Sequence, residues 1–344
     1  MLTIASEAHR AHAPYAAILD AGKLVPPPEV PERADRILAA IDVNRLGPVH
    51  PPQAHGLEPV HRVHSHDYVA FLQHAYADWR AATGAEPGTE ATAYARPIRG
   101  DAVGRLVHPI AKLGWYSHDT DPILEGTWDA AIAAVDIALT ACDELSAAGR
   151  GGVYALCRPP GHHASADSLA GYCYLNNAAI AARAFADGGA RVAVLDVDFH
   201  HGNGTQSIFS ADPGVFVVSL HADPADDYPY FSGFADERGV GAGEGTTLNL
   251  PLPSGTEWDA YEAALTVALD AIGTFGADTL VVSLGVDTAL EDADSFRLQS
   301  DDFGRLGAAI ASLRLPTVFV QEGGYCLDVI GRNVVNVLVA FEDA

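Results

Sequence analysis

The sequence predicts an α/β protein of one domain, with a mostly parallel central sheet covered by helices on both faces. Three observations carry that reading. Short β-branched runs alternate with Ala-rich stretches of helical length. The runs are apolar throughout, as in strands buried on both faces. No internal repeat or long low-complexity linker divides the 344 residues, and a chain of this length buries a large core without staples.

Five strands are expected: Val153–Cys157, Arg191–Asp198, Val215–His221, Thr279–Gly285 and Pro316–Glu322, each bounded by Gly, Pro or Asp. The helices between and after them are Thr127–Ala148, Asn176–Asp187, Glu257–Phe275, Asp301–Leu313 and Asp328–Phe341. Thr127 with Asp129, and Ser300 with Asp301 and Asp302, read as N-terminal caps followed by first-turn acids. Pro26–Pro31 and Thr83–Asp101 read as surface loops, the second long enough to be a functional excursion.

Acidic side chains outnumber basic ones by 45 to 20, a net charge of −25, which argues against nucleic acid as a partner. Such a surface keeps the chain soluble and favours cationic ligands. No apolar run reaches the length of a membrane helix, and Met1–Arg10 lacks a signal-peptide layout, so a cytoplasmic protein without a membrane partner is expected. Cys142, Cys157, Cys173 and Cys326 lie singly, which speaks against a disulfide framework or a cysteine zinc site.

The chemistry-bearing residues cluster after the carboxyl ends of the expected strands, where open α/β sheets bind ligands. Asp196, Asp198 and His200 alternate, so in an extended chain they share one face. Carboxylates ending a buried strand are costly unless they meet a cation. Asp287 follows the strand Thr279–Gly285. Two carboxylates and one imidazole with an open position suit a catalytic zinc ion, and Co2+ or Fe2+ fit the same donors. The plainer alternative, an ion-paired cluster, lacks a Lys or Arg in these motifs. His162 and His163 follow Arg158-Pro159-Pro160-Gly161, and both can face a water at such a centre. In Gln321–Tyr325 two glycines allow a tight turn that aims a tyrosine hydroxyl into the cleft; standing alone, Tyr325 would read as a core aromatic.

The motifs RPPGHHA (158–164), GYCYLNNAA (171–179), DVDFHHGNGT (196–205), SLGVDT (283–288) and EGGY (322–325) resemble, in order and spacing, the zinc-dependent histone deacetylase superfamily. The likeness runs from Val60-His61-Arg62-Val63-His64 to near the end of the chain. Segments 198–207, 219–224 and 239–247 look more like its acetylpolyamine amidohydrolase branch than like eukaryotic histone deacetylases. The resemblance implies an arginase/deacetylase-like three-layer fold, with Asp198, His200 and Asp287 as zinc ligands. It implies His162 and His163 as the tandem catalytic pair, backed by Asp196 and Asn203, and Tyr325 as the oxyanion donor. Tyr172 and Phe231, with Gly171, match the walls of the acyl-substrate channel, and Asp196, Asp198, His200, Ser219 and Leu220 match a potassium site. Many histone deacetylases carry Asp where Asn203 stands; a neutral amide orients His163 but favours its protonated form less.

The implied reaction is hydrolysis of an acylated amine, with His163 as base and Tyr325 beside the metal at the oxyanion. The implied substrate is a small cationic acylated amine, first an acetylpolyamine and second acetyl-lysine in proteins. A carboxylate at the channel mouth would pair with a distal ammonium, and Asp119 and Asp121 are equal candidates. By the same resemblance, Thr83–Asp101 would narrow the partner's entrance in a homodimer. Two rivals are weaker. An arginase-type binuclear site needs an Asp-x-Asp-x-x-Asp run where only Asp287 precedes Thr288-Ala289-Leu290, and an inactive scaffold would have lost a ligand or Tyr325.

Overall fold

The computed structural model describes residues 1–20, 23–93, 106–292 and 296–344. Along the first half run β1 (Leu2–Ile4), β2 (Ile18–Asp20), β3 (Lys23–Val25), α1 (Glu32–Asn44), β4 (Val49–His50), α2 (Glu58–His61), α3 (His66–Thr83), α4 (Pro109–Tyr116) and α5 (Thr127–Ala148). The second half carries β5 (Gly152–Ala155), α6 (Asn177–Asp187), β6 (Val192–Asp196), α7 (Asn203–Phe209), β7 (Val215–Ala222) and β8 (Thr247–Leu252). It ends with α8 (Trp258–Phe275), β9 (Thr279–Leu284), α9 (Ser300–Ala311), β10 (Thr317–Gln321) and α10 (Ile330–Asp343).

Eight strands form one sheet in the order β4-β1-β5-β10-β9-β6-β7-β8, and every neighbouring pair is parallel. Alternate residues of each central strand enter opposite cores, because side chains leave a pleated strand on alternate faces. Val153, Ala155, Val192, Val194 and Val281 pack under α3, α5 and α6. Tyr154, Ala193, Leu195, Leu280 and Val282 pack under α1, α8, α9 and α10. This is the expected three-layer α/β arrangement.

The five strands and five helices expected from the sequence are β5, β6, β7, β9, β10 and α5, α6, α8, α9, α10. Four of the strands stop short of their expected carboxyl ends, because Asp198, Gly285, Glu322 and Cys157 have left the ladder and begin the loops of the site. Both capping assignments move back by one residue. Gly126 caps α5, with the Thr127 hydroxyl accepting from the Leu124 N–H, and Gln299 forms a capping box with Asp302 on α9. The Pro26–Pro31 stretch, expected to be a surface loop, contains a fully buried carboxylate, Glu29. Of the Thr83–Asp101 excursion, residues 94–101 lie outside the described residues. Its first part folds back on the chain: Tyr15 donates to the Gly88 carbonyl and to Glu90, and Ala91 bridges Ile123.

Candidate active site

Four adjacent central strands end at one edge of the sheet, and each delivers one of the motifs. Past β6 lie Asp198 and His200; past β9, Asp287; past β5, His162 and His163; past β10, Glu322 and Tyr325. Backbone amides hold the carboxylates. Gly323 N–H donates to Asp198 Oδ2 at 2.8 Å, His200 N–H to Asp198 Oδ1 at 2.9 Å, and Phe199 N–H to Asp287 Oδ1 at 2.9 Å. Such close approach requires glycine on the facing chain. A Cβ on Gly285 would stand 2.1 Å from Asp198 Oδ2, and one on Gly323 would stand 2.5 Å from both Asp198 Oδ2 and Asp287 Oδ2.

Asp198, His200 and Asp287 each offer one donor atom, and the three atoms lie within 4.8 Å of one another. His200 Nδ1 is 3.3 Å from Asp198 Oδ1 and 3.2 Å from Asp287 Oδ2. Donors bonded at about 2.1 Å to a tetrahedral ion stand about 3.4 Å apart, so the triad matches the edges of such a polyhedron. Electrostatics agree. Burial opposes a charge on His200, yet its hydrogen bonds to Asp198 and Asp287 push it up to about 10. Burial and the Asp198 charge together raise Asp287 to about 7. The pocket draws a positive charge, and one imidazole proton cannot serve two carboxylates; a divalent ion fits the donors better.

The rings of the tandem histidines lie tilted with centroids 4.0 Å apart, and they have different partners. His162 Nδ1 lies 3.0 Å from Asp196 Oδ2. Burial alone would lower its pKa, but Asp198 and Asp196 outweigh burial and raise it well above the usual value. His163 Nδ1 lies 2.7 Å from Asn203 Oδ1. Burial, and then the charges of His162 and His200, lower it well below its usual value, so it is neutral at pH 7. Because Nδ1–H donates to the amide oxygen, Nε2 keeps its lone pair. A cavity of about 340 Å³ lies against His163, lined also by His118, Asn203 and Phe231.

Several residues of the site escape sequence reasoning. Glu322 Oε2 accepts from Gly161 N–H at 2.6 Å and His162 N–H at 3.2 Å, and burial raises this carboxyl to about 8. Arg33 donates to the carbonyls of Gly324 and Glu322, both at 2.6 Å, and covers the Tyr325 ring at 4.7 Å. Glu29 holds Arg33 from the other side at 2.9 Å. The one signal for that pair is the spacing of Glu29 and Arg33, i and i+4. Burial raises the Tyr325 hydroxyl well above its usual pKa despite Arg33, and its ring meets Tyr172 edge-on at 6.0 Å.

Phe231 lines the cavity beside His163, and a second aromatic, Tyr228, stands closer to the histidines. Phe231 is half exposed and packs on His118 at 4.5 Å. Tyr228, three residues earlier, stands edge-on to His163 at 5.0 Å and to His200 at 6.0 Å. Spacing alone does not choose among Tyr228, Tyr230 and Phe231. Asp119 and Asp121 also face inward: Asp119 Oδ2 accepts from Gly171 N–H at 2.9 Å and Tyr228 Oη–H at 2.8 Å, and buried Asp121 accepts from Tyr172 N–H at 2.8 Å. Ser219 Oγ lies 2.7 Å from His221 Nδ1, while Leu220 is buried within β7.

Fold and site together define a metal-dependent hydrolase of the deacetylase type. The chain belongs to the histone deacetylase family: the Histone deacetylase domain matches residues 27–341. It is 49% identical over 348 residues to Acetylpolyamine amidohydrolase 1 of Pseudomonas aeruginosa, covering 100% of this chain and 99% of the relative. It is 46% identical over 320 residues to Acetylpolyamine amidohydrolase of Mycoplana ramosa, covering 92% and 93%. A crystal structure of acetylpolyamine aminohydrolase from Burkholderia pseudomallei superimposes with a TM-score of 0.93 at 41% identity, over 99% of this chain and 98% of that one.

Proposed function

We propose that this enzyme removes acetyl groups from small cationic amines, acetylpolyamines above all, using one zinc ion. The observation that carries the reading is the convergence of Asp198, His200 and Asp287 within 4.8 Å, below the paired histidines, in a chain similar over nearly its whole length to named acetylpolyamine amidohydrolases. An ion held by Asp198, His200 and Asp287 supplies Lewis-acid polarisation of the acetyl carbonyl and a water of lowered pKa. His163, neutral and fixed by Asn203, takes the proton of the attacking water on Nε2 and returns it to the departing amine. His162, tied to Asp196, keeps its charge and supplies a positive field. Tyr325 holds its proton and donates it in a hydrogen bond to the oxyanion. On these roles, His163→Ala lowers kcat more than His162→Ala; the reverse order in steady-state kinetics would exchange them.

A potassium ion at Asp196, Asp198, His200, Ser219 and Leu220 belongs to the same reading. His221 Nε2 lies 2.8 Å from the Gly233 carbonyl and must donate to it, so Nδ1 accepts the Ser219 proton and leaves that oxygen's lone pairs for an ion. A melting temperature higher in potassium than in choline at equal ionic strength supports this site. We further propose a cytoplasmic homodimer in which segment 83–101 borders the partner's entrance; a fully active monomer by light scattering would refute that part. No helix among the described residues is long and apolar enough to cross a membrane.

The test of substrate is a screen of the metal-loaded protein with N-acetylputrescine, N-acetylcadaverine, acetylspermidines and acetyl-lysine peptides. Higher kcat/KM for the acetylpolyamines is expected. Faster turnover of the peptides makes it a lysine deacetylase, and inertness toward all of them ends the reading.

A further inference from the structure

Asp119 and Asp121 together hold two aromatic residues of the site, Tyr228 beside His163 and Tyr172 beside Tyr325. Asp119 Oδ2 accepts from the Gly171 N–H and from the Tyr228 hydroxyl, and Asp121 Oδ1 accepts from the Tyr172 N–H. Gly171 and Tyr172 are consecutive left-handed residues, at φ 54° and 66°. That conformation is unfavourable for tyrosine and persists only where its surroundings impose it. Successive amides in such a turn form a concave nest that binds an anion, and here the two carboxyl groups fill it. The remaining oxygens, Asp119 Oδ1 and Asp121 Oδ2, are buried and receive no donor from elsewhere in the described residues. The two carboxyl groups accept from consecutive amides of one turn, so they are neighbours in the same buried space.

We propose that Asp119 and Asp121 share one proton, and that this acid pair is the positioning device setting the distance between Tyr172 and Tyr228 across the substrate channel. Two neighbouring buried carboxylates cannot both ionise without strong repulsion, whereas one proton between them satisfies both orphaned oxygens. Burial first, and then Asp119, raise Asp121 well above the usual carboxylate range. The groups around the pair are the phenols of Tyr68, Tyr174 and Tyr228, the Cys173 thiol and, next in the chain, the His118 imidazole. The carboxyl groups therefore act on substrate through the walls of the channel. This rests on the proposed deacetylase reading of the site, with Tyr172 and Tyr228 placed along the channel by their contacts with Tyr325 and His163.

The experiment pairs amide hydrogen exchange at Gly171 and Tyr172 with kinetics on N-acetylputrescine and its neutral analogue N-pentylacetamide. In Asp121→Ala, both amides exchange at least about tenfold faster, and kcat/KM falls about tenfold for both substrates alike, since the buried acceptor of the Tyr172 N–H is lost. In Asp121→Asn the amide oxygen accepts from Tyr172 and the amide N–H replaces the shared proton. Its exchange stays near wild type and its kcat/KM within about threefold. Wild-type protection, corrected for intrinsic exchange, falls at alkaline pH as the shared proton leaves; that of Asp121→Asn does not. Unchanged exchange in Asp121→Ala overturns the proposal, as does equal loss in Asn and Ala variants. A loss in Asp119→Asn confined to the cationic substrate also overturns it, by making Asp119 a direct ammonium partner. If the wild type hydrolyses neither substrate, the acetylpolyamine reading fails alone, and the exchange rates still decide the clamp.

Discussion

Two buried polar clusters flank the Glu322–Tyr325 turn, and they balance charge in opposite ways. On one side Glu29 receives Arg33 at 2.9 Å and Arg158 at 2.8 Å, and the arginines' other N–H groups reach the carbonyls of Gly324, Glu322 and His9. That cluster supplies its own cations from within the chain, two guanidiniums to one carboxylate. On the other side Asp196, Asp198 and Asp287 meet imidazoles and backbone amides, and the negative charge exceeds what those partners neutralise. The difference separates a structural tie from a binding site: a buried cluster left short of positive charge is stable only with a ligand that brings it.

Breaking each cluster should therefore have different consequences. Asp287→Ala is expected to lose the metal and about 10³ or more in kcat, since Lewis-acid stabilisation is worth several kcal/mol. Elemental analysis alongside kinetics checks it, and full activity with retained metal would remove Asp287 from the donor set. Glu29→Gln should cost about 3–5 kcal/mol of stability by leaving two buried arginines uncompensated, read from the urea midpoint. Tyr325→Phe, between the clusters, should keep its metal and lose about 10² in kcat. Raised KM with unchanged kcat would instead make Tyr325 a ground-state binder.

The smallest effect sharpens the comparison by pH. Burial opposes ionisation of Glu29, but Arg158 and Arg33 hold it below the usual carboxylate range. A depressed pKa stabilises above the unfolded value of about 4.3 and is lost as pH falls through the folded value. The gap between wild type and Glu29→Gln should thus be full at pH 7 and close in acid. Burial also lowers His9 to about 4 and His12 to about 3, so both contribute stability lost between about pH 6.5 and those values. A melting temperature flat from pH 7 to 4 would contradict this.

What sequence reasoning reaches here follows from locality. Strands β5, β6, β7, β9 and β10 are apolar runs long enough to announce themselves, and the expected metal donors directly follow two of them. Strands β1 and β4, of three and two residues, are too short for any periodic signal. Strand β8, TLNLPL, is only partly buried and contains a proline. The Glu29–Arg158 tie joins residues 129 positions apart, and nothing in either segment reports the other. The place of Tyr228 beside His163 and His200 is obscured in the sequence by its aromatic neighbours, and the inward turn of Asp119 and Asp121 goes with a left-handed backbone at 171–172 that composition does not reveal.

The floor under the donor triad is built of chain with no room for a side chain at Gly285 or Gly323, whose added Cβ atoms would collide with Asp198 and Asp287. Random substitution there has almost no viable outcome. The outer rim, with Tyr230 and Phe231 exposed, tolerates change far more readily. Descendants of this enzyme are thus expected to diversify in which amines they accept well before they alter the bond they cleave. A saturation library scored for growth on different acetylated amines should show that gradient, barren at the sheet's edge and permissive toward solvent.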